Sequence, residues 1–93
     1  MKIIASLVAV LLLATSAHAG ERTAIFSVPG MTCALCPITV KTAMGRVDGV
    51  ISAEAELESK SAEVVFDDTR TSTGVIAEAS ANAGYPASLE SIQ

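Results

Sequence analysis

Hydrophobic side chains follow two different periods along this chain, and the order of those periods leaves few folds open. Apolar and polar residues alternate, as in β-strands with one buried side, over residues 23–28, 50–58 and 62–67. Apolar residues recur every three or four positions, as in amphipathic helices, over residues 36–47 and 75–83. A short last strand is predicted at residues 87–89. The predicted order is therefore β-α-β-β-α-β.

Residues that favour helix ends support these boundaries. Pro37 fits the first turn of a helix, where its missing N–H costs nothing, and Gly49 is predicted to follow the end of that helix. Ser72 or Thr73 can cap the second helix. Gly84 fits the position just after its last turn.

Each predicted element has one apolar side, so the elements must pack those sides into a common core. In the strands these sides consist of Ala24, Phe26 and Val28, of Ile51, Ala53, Ala55 and Leu57, and of Ala62, Val64 and Phe66. In the helices they consist of Cys36, Val40, Ala43, Met44 and Val47, and of Val75, Ile76, Ala79 and Ala83. We predict an α+β, ferredoxin-like βαββαβ sandwich, in which two helices cover one face of an antiparallel four-stranded sheet.

Residues 1–19 have the pattern of a secretory signal peptide. A lysine precedes an uncharged apolar stretch over residues 3–14, which is too short to span a bilayer, since a spanning helix needs about 20 residues. Residues 17–19 form an A-x-A cleavage signal. We predict export to the periplasm, cleavage after Ala19 and one domain over residues 20–93. An uncleaved membrane anchor is the alternative.

The composition of residues 20–93 excludes several function classes. Five Lys and Arg against ten Asp and Glu give a net charge of −5, which argues against nucleic-acid binding. Two cysteines without a histidine cannot complete a four-ligand zinc site of N and S ligands or a four-cysteine iron–sulfur site. No second long apolar stretch follows the signal. We predict a protein that is soluble after cleavage and monomeric.

Cys33 and Cys36 carry the chemistry that the sequence offers, as a C-x-x-C at the predicted junction of a loop and a helix. Residues three apart at such a junction can bring both sulfurs to one point. The partial positive charge of the helix N-terminus stabilises a thiolate, that of Cys36 above all. Two thiolates select soft ions such as Cu(I), and by the same softness Hg(II), which accepts two thiolates in a line. A two-coordinate ion stays open to an incoming thiol, which favours transfer over storage.

Three other interpretations of the cysteine pair stay open at this point. A redox centre of the thioredoxin type also has C-x-x-C at a helix start. There, however, a proline usually precedes the second cysteine and a tryptophan the first, and neither is present here. A zinc ion shared between the pairs of two molecules is the second alternative. A pair that oxidises after export and has no further function is the third.

Residues 30–36, GMTCALC, resemble the GMTCxxC motif of heavy-metal-associated domains, whose fold is also βαββαβ. Three further segments resemble the periplasmic mercury-binding members of that family: residues 37–41 (PITVK), 66–69 (FDDT) and 83–86 (AGYP). The resemblance covers essentially the whole chain, export signal included. Copper chaperones of this fold are mostly cytosolic or parts of ATPases, so the signal favours a mercury carrier.

The resemblance implies a periplasmic carrier in mercuric resistance, with no enzymatic activity and no organic cofactor. Cys33 and Cys36 would bind Hg(II) as cargo. The ion would pass by thiol ligand exchange to an inner-membrane mercuric transporter, for reduction in the cytoplasm, and small thiols are the other exchange partners expected. A Cu(I) metallochaperone of the same fold and site is the alternative.

Three residues near the pair have two interpretations each. Met31 is either an apolar plug or a thioether ligand, and Tyr85 either shields the site or packs at the edge of the core. Lys41 is either a solvated helix residue or a cation that lowers the thiol pKa. Leu35 is bulkier than the small residue expected between the cysteines, which predicts a change in loop packing.

A run of acidic residues is either a solvated sheet face or a surface for a basic partner: Glu54, Glu56, Glu58, Glu63, Asp67 and Asp68.

Overall fold

The computed structural model describes residues 20–93. Its elements follow the predicted order: β1 Glu21–Ser27, α1 Cys36–Gly45, β2 Val50–Glu56, β3 Ser61–Asp67, α2 Thr73–Asn82 and β4 Ser88–Ile92. Residues 1–19, which carry the predicted signal peptide and its cleavage site, lie outside the described residues. Neither helix of the described part is long and apolar enough to cross a membrane.

The strands form one antiparallel sheet in the order β2-β3-β1-β4. The two central strands, β1 and β3, place apolar residues opposite each other: Ala24 pairs with Val64, and Phe26 with Ala62. Cross-strand pairs of this kind stabilise the centre of the sheet. The predicted α+β, ferredoxin-like architecture is confirmed.

The hydrophobic core lies between one face of the sheet and both helices. Phe26 and Phe66 contribute from the central strands, Val40 and Met44 from α1, and Ile76 from α2. Burial of each such side chain stabilises the fold by about 1.5–3 kcal/mol. The rest of the core consists of Ala24, Val28, Met31, Cys36, Ala53, Ala62 and Val64. Because both helices share this core, they cover the same face of the sheet, as predicted.

The opposite face of the sheet is open and acidic. Glu54 of β2 lies directly opposite Glu63 of β3, and both side chains are exposed. Like charges placed opposite each other destabilise a sheet slightly. Lys41 of α1 reaches around the edge strand to Glu54, with its Nζ 3.4 Å from Oε1. Both side chains of this ion pair are more than half exposed, so it contributes little to stability.

The start of β2 differs from the predicted alternation. Ile51 is 59% exposed, although the pattern placed it on the buried side. The register shifts here, since Val50 pairs with Phe66 whereas Ser52 pairs with Val65. The extra residue is a β-bulge, which reverses the alternation, so Val50 packs against the core instead. The prediction for Ile51 is wrong for this reason.

The inner side of α2 also differs from the prediction. Val75 is 51% exposed, whereas Ile76 and Ser80, four residues apart on one side of the helix, are fully buried. The Ser80 hydroxyl donates a 2.6 Å hydrogen bond to the carbonyl oxygen of Tyr85. This bond satisfies the buried hydroxyl and allows a polar residue on the inner side. The prediction that Val75 faces inward is therefore wrong.

The capping residues of α2 agree with the prediction, whereas α1 and β4 end at other residues than predicted. Ser72 caps α2, and its Oγ accepts a hydrogen bond from the backbone N–H of Val75. Gly84 follows this helix with a φ of +100°. α1 ends at Gly45, four residues before Gly49, whose φ of +103° instead serves the turn into β2. β4 extends to Ile92, beyond the predicted strand at 87–89.

The antiparallel connections give the sheet two distinct ends. The loop end consists of residues 28–35, 57–60 and 83–87, and a 2.8 Å hydrogen bond from Val28 N to Lys60 O joins two of these segments. At the opposite end, β1 begins and β4 finishes. There Thr23 and Gln93 exchange two backbone hydrogen bonds, of 3.3 and 2.8 Å.

Candidate metal centre

The cysteine pair lies at the loop end, where β1 turns into α1. The backbone N–H of Met31 donates to the carbonyl of Val28 at 3.1 Å, which closes the turn after the strand. Met31 itself is fully buried in the core and anchors the start of the loop. The loop then runs over the surface to Leu35, which stands at the N-cap of α1 in a helical conformation without a side-chain cap.

Cys33 and Cys36 are brought together as the sequence predicts. Their sulfurs are joined in a disulfide, with the two Cα atoms 5.3 Å apart. Cys33 is exposed, whereas Cys36, the first residue of α1, is only 3% exposed. The structure therefore represents the oxidised form of the site, with one sulfur-bearing residue facing solvent and the other packed against the core.

Two hydrogen-bond donors point at the buried sulfur. The backbone N–H of Cys33 and the hydroxyl of Tyr85 each lie 3.2 Å from Cys36 Sγ. The Tyr85 backbone is held in turn by Ser80, whose hydroxyl donates to the Tyr85 carbonyl and whose own carbonyl accepts from Tyr85 N at 3.0 Å. After reduction, these donors can stabilise negative charge on Cys36, because hydrogen bonds to charged acceptors are the stronger ones.

The helix N-terminus adds to this stabilisation. Cys36 opens α1, and the aligned peptide dipoles of a helix place partial positive charge at its N-terminus. Pro37 in that turn has no N–H to leave unpaired. A thiolate at this place is therefore favoured over one in an exposed loop.

In the part of the chain that the structure describes, the surroundings of the pair offer no other strong ligand. Within residues 20–93, no group of three or more His, Cys, Asp or Glu side chains is placed to hold a metal ion. No Asp, Glu, Lys or Arg occurs between Arg22 and Lys41 or between Glu78 and Glu90. These two uncharged segments contain the cysteine loop and Tyr85. The donor set is thus two soft sulfurs, which suits a soft ion of low coordination number.

The structure distinguishes between the interpretations of the neighbouring residues. Met31 lies inside the core, as expected for an apolar plug. Tyr85 is half-buried and contacts Cys36, so it both packs and shields the site. Lys41 is exposed and paired with Glu54. Leu35 is 70% exposed, so its side chain projects into solvent and stays outside the core.

Ser80 is the residue that the sequence analysis missed. Its position four residues after Ile76 places it on the buried side of the helix, but a polar serine is less readily predicted to be buried than a neighbouring alanine.

Polar contacts also occur at the opposite end of the molecule. There the hydroxyl and the N–H of Thr69 donate to the Asp67 carboxylate and hold the pKa of Asp67 below its usual value.

Comparison with known proteins gives consistent results. The sequence profile of the heavy-metal-associated domain matches residues 25–86. The mercuric transport protein periplasmic component of Pseudomonas fluorescens is 42% identical over 90 residues, which is 97% of this chain and 99% of that protein.

Solved structures agree with this result. Oxidised MerP from Ralstonia metallidurans CH34 superposes with a TM-score of 0.75 at 46% identity, covering 76% of this chain and 99% of that one. The mercury-bound form of MerP, at the same identity and coverage, has a TM-score of 0.69. A copper-binding domain from a P-type ATPase superposes with a TM-score of 0.75 at 35% identity, covering 77% of this chain and 97% of that one.

Proposed function

Because the chain belongs to the heavy-metal-associated domain family, we propose that it is a periplasmic carrier of Hg(II). It takes the ion on the thiolates of Cys33 and Cys36 and hands it to an inner-membrane mercuric transporter. The observation that carries this proposal is the pair of sulfurs meeting at one point of the loop end, with no carboxylate or imidazole of residues 20–93 placed to complete a metal site with them. The similarity to mercuric transport proteins over nearly the whole chain supports mercury as the cargo.

Loading requires the reduced pair. Two small thiols reduce the disulfide: the first attacks one sulfur and forms a mixed disulfide, and the second attacks the small-thiol sulfur of that mixed disulfide and frees the cysteine. The two small thiols leave as a disulfide with each other, and their two electrons and two protons end on the cysteines. Hg(II) then displaces both protons and is held between the two sulfurs. The ion remains Hg(II) throughout.

Unloading proceeds by ligand exchange at the metal. A thiolate of the transporter binds the two-coordinate ion and makes it three-coordinate. One carrier thiolate then leaves and takes up a proton, and a second transporter thiolate displaces the other. Each step exchanges one sulfur–mercury bond for another, so the transfer needs no energy source other than the relative affinities of the two sites.

The same proposal includes location and class. Residues 1–19 act as a signal peptide that is cleaved after Ala19, and the protein works in the periplasm. The name of the similar protein from Pseudomonas fluorescens describes that protein as a periplasmic component, which supports this location. It is a carrier and has no catalytic activity. An insulin-reduction assay tests the latter point, and turnover of the disulfide substrate would contradict it.

Titration of the reduced protein with Hg(II) tests the site. We expect one ion per chain, held against competition by a small thiol. Cys33→Ser and Cys36→Ser should each lose the ion to the competitor, whereas Thr32→Ser, an exposed change in the same loop, should not. Parent-like binding by both cysteine variants would place the site elsewhere.

The copper alternative rests on the similarity to the copper-binding domain. Native mass spectrometry of the reduced protein, with equal Hg(II) and Cu(I) and an excess of competing thiol, separates the two cargoes. We expect the mercury-loaded chain to dominate. A dominant copper-loaded chain would support the Cu(I) metallochaperone instead.

A further inference from the structure

Two apolar side chains stand exposed beside the cysteine pair. Leu35 is 70% exposed and Ile38 is 60% exposed, which makes them the most exposed large apolar residues of the described part. Both belong to the first turn of α1, where Ile38 N donates to Leu35 O at 3.1 Å. Residues three apart on a helix are neighbours, so the two side chains form one small surface. We call Leu35 and Ile38 the apolar rim.

The fold itself gives no reason for the apolar rim. The buried side of α1 carries Cys36, Val40 and Met44, and the rim lies on the other side of the helix. Single exposed apolar residues are common on protein surfaces. The rim differs from them by its position, because Leu35 stands between the two cysteines and directly precedes the buried one.

The charge distribution indicates what this surface can contact. The rim lies inside the uncharged segment between Arg22 and Lys41, and the neighbouring loop with Tyr85 is uncharged as well. Removing a charged side chain from water is costly, and a partner that covers only these two segments avoids that cost. The charged side chains of the loop end, Glu58 and Lys60, lie in its third segment. The net charge of −5 on residues 20–93 disfavours an anionic lipid surface.

Ligand exchange brings a protein acceptor onto the loop that carries the cysteine pair and Leu35. A transporter sulfur must come within a bond length of the ion, about 2.3 Å for a thiolate on zinc, while Cys36 still holds it. At that distance the acceptor surface around the incoming sulfur faces the loop in which the exposed Leu35 stands between the two cysteines. A small thiol approaches the same ion without covering the rim.

We propose that the apolar rim is the docking surface for the metal acceptor, and that this acceptor presents its cysteine thiols on an uncharged, apolar protein surface. This inference rests on the proposed carrier function. Two anchoring side chains make a small contact, of the kind found in transient encounters rather than stable complexes. A short-lived complex suits a carrier that must leave after each transfer.

Transfer kinetics with two acceptors test the rim. The donors are the mercury-loaded parent, Leu35→Ala, Ile38→Ala, the double variant that carries both changes, and Val75→Ala. Val75 is a matched exposed apolar residue in the first turn of α2 at the opposite end. One acceptor is glutathione, and the other is a mercuric transport protein in vesicles of phosphatidylethanolamine and phosphatidylglycerol. We expect both rim variants to transfer to the proteoliposomes several-fold more slowly, and the double variant about tenfold. Transfer to glutathione, and both rates of Val75→Ala, should stay at the parent value.

Each other outcome overturns the inference in a distinct way. Parent-like transfer by the double variant to the proteoliposomes removes the rim from docking. Equal slowing toward glutathione assigns the effect to the metal site. If the parent binds transporter-free vesicles and the rim variants do not, the rim is a lipid contact. If sedimentation shows dimers that the rim variants do not form, the rim is a contact between copies of the chain. A parent that binds no Hg(II) at all refutes the carrier function itself, before any transfer is measured.

Discussion

Met31 and Cys33 lie two residues apart but in opposite surroundings. Met31 is fully buried among the core side chains, and Cys33 is exposed at the loop end. A buried thioether that packs on the core is not free to move onto an ion held at the surface. Met31 therefore acts on the metal site through the position of the loop.

Met31→Leu tests this role, because leucine has a similar volume and no sulfur. We expect a loss of less than about 1.5 kcal/mol in the free energy of unfolding, as for other volume-conserving core changes. The competition between protein and small thiol for Hg(II) should not change. Met44→Leu, at an equally buried site in α1, is the control for packing. If Met31→Leu alone weakens mercury binding, the thioether is a ligand after all.

Tyr85 is the residue whose hydroxyl is expected to affect the metal directly. Tyr85→Phe removes the donor that lies 3.2 Å from Cys36 Sγ and keeps the ring. Hydrogen bonds to charged acceptors contribute about 1.5–3 kcal/mol, so we expect mercury to be lost to a competing thiol at a concentration at least roughly tenfold lower. Thermal unfolding of the metal-free protein should change little. An unaltered competition curve would limit Tyr85 to packing.

At the scale of elements, two glycines with similar backbone angles have different surroundings. A Cβ at Gly49 would lie 2.9 Å from side-chain carbons of both Arg70 and Thr71, whereas nothing lies within 4 Å of a Cβ at Gly84. Gly49 joins α1 to β2, and Gly84 follows α2. A side chain at either position would therefore strain the backbone, but of these two glycines only Gly49 would also give a steric clash.

The two alanine variants separate these costs. Gly84→Ala should lower the free energy of unfolding by about 1–2 kcal/mol, the cost of a left-handed backbone for a residue with a Cβ. Gly49→Ala should cost more, because the β3–α2 connection must also move. Urea unfolding measures both. Equal losses in the free energy of unfolding would show that the segment with Arg70 and Thr71 moves away from the new side chain without a further energetic cost.

The elements also show how far the sequence carries the prediction. Alternation over residues 62–67 and the helical stripe of Val40 and Met44 identify buried residues correctly, because each depends only on a regular period. Ile51 fails because a bulge adds one residue to β2, and a period cannot reveal a bulge. Val75 fails because the orientation of α2 is set by the contact of Ser80 with Tyr85, which is a tertiary interaction.

The candidate site follows the same division. Three-residue spacing at a helix start is a local feature, so the sequence predicts that Cys33 and Cys36 meet. The difference between the surroundings of the two cysteines depends on residues far along the chain, since the Tyr85 hydroxyl contacts Cys36 from a loop 49 positions away. The exposure of Leu35 likewise depends on which side of α1 the sheet covers.

For the whole molecule, metal binding and folding are linked. An ion that binds only the folded chain adds about 2.7 kcal/mol of stability at a concentration one hundred times its dissociation constant. In a domain of 60–100 residues each kcal/mol raises Tm by about 4–8 °C. Thermal unfolding of the reduced protein with Hg(II) should therefore shift upward by about 10 °C or more.

The oxidised protein is the control for this shift, because its sulfurs are bonded to each other. We expect Hg(II) to leave the Tm of the oxidised protein unchanged. A comparable shift in the oxidised protein would reveal a second binding site away from the cysteines.

The two backbone hydrogen bonds between Thr23 and Gln93 have a consequence for protein engineering. They hold both ends of the described body side by side, at the end of the sheet away from the cysteines. Domains whose termini are adjacent can be inserted into the surface loops of other proteins. If this body is inserted into a fluorescent reporter through residues 20 and 93, the cysteine loop lies at the end away from both junctions. Binding of a soft metal ion at that loop would then reach the host protein through two neighbouring junctions.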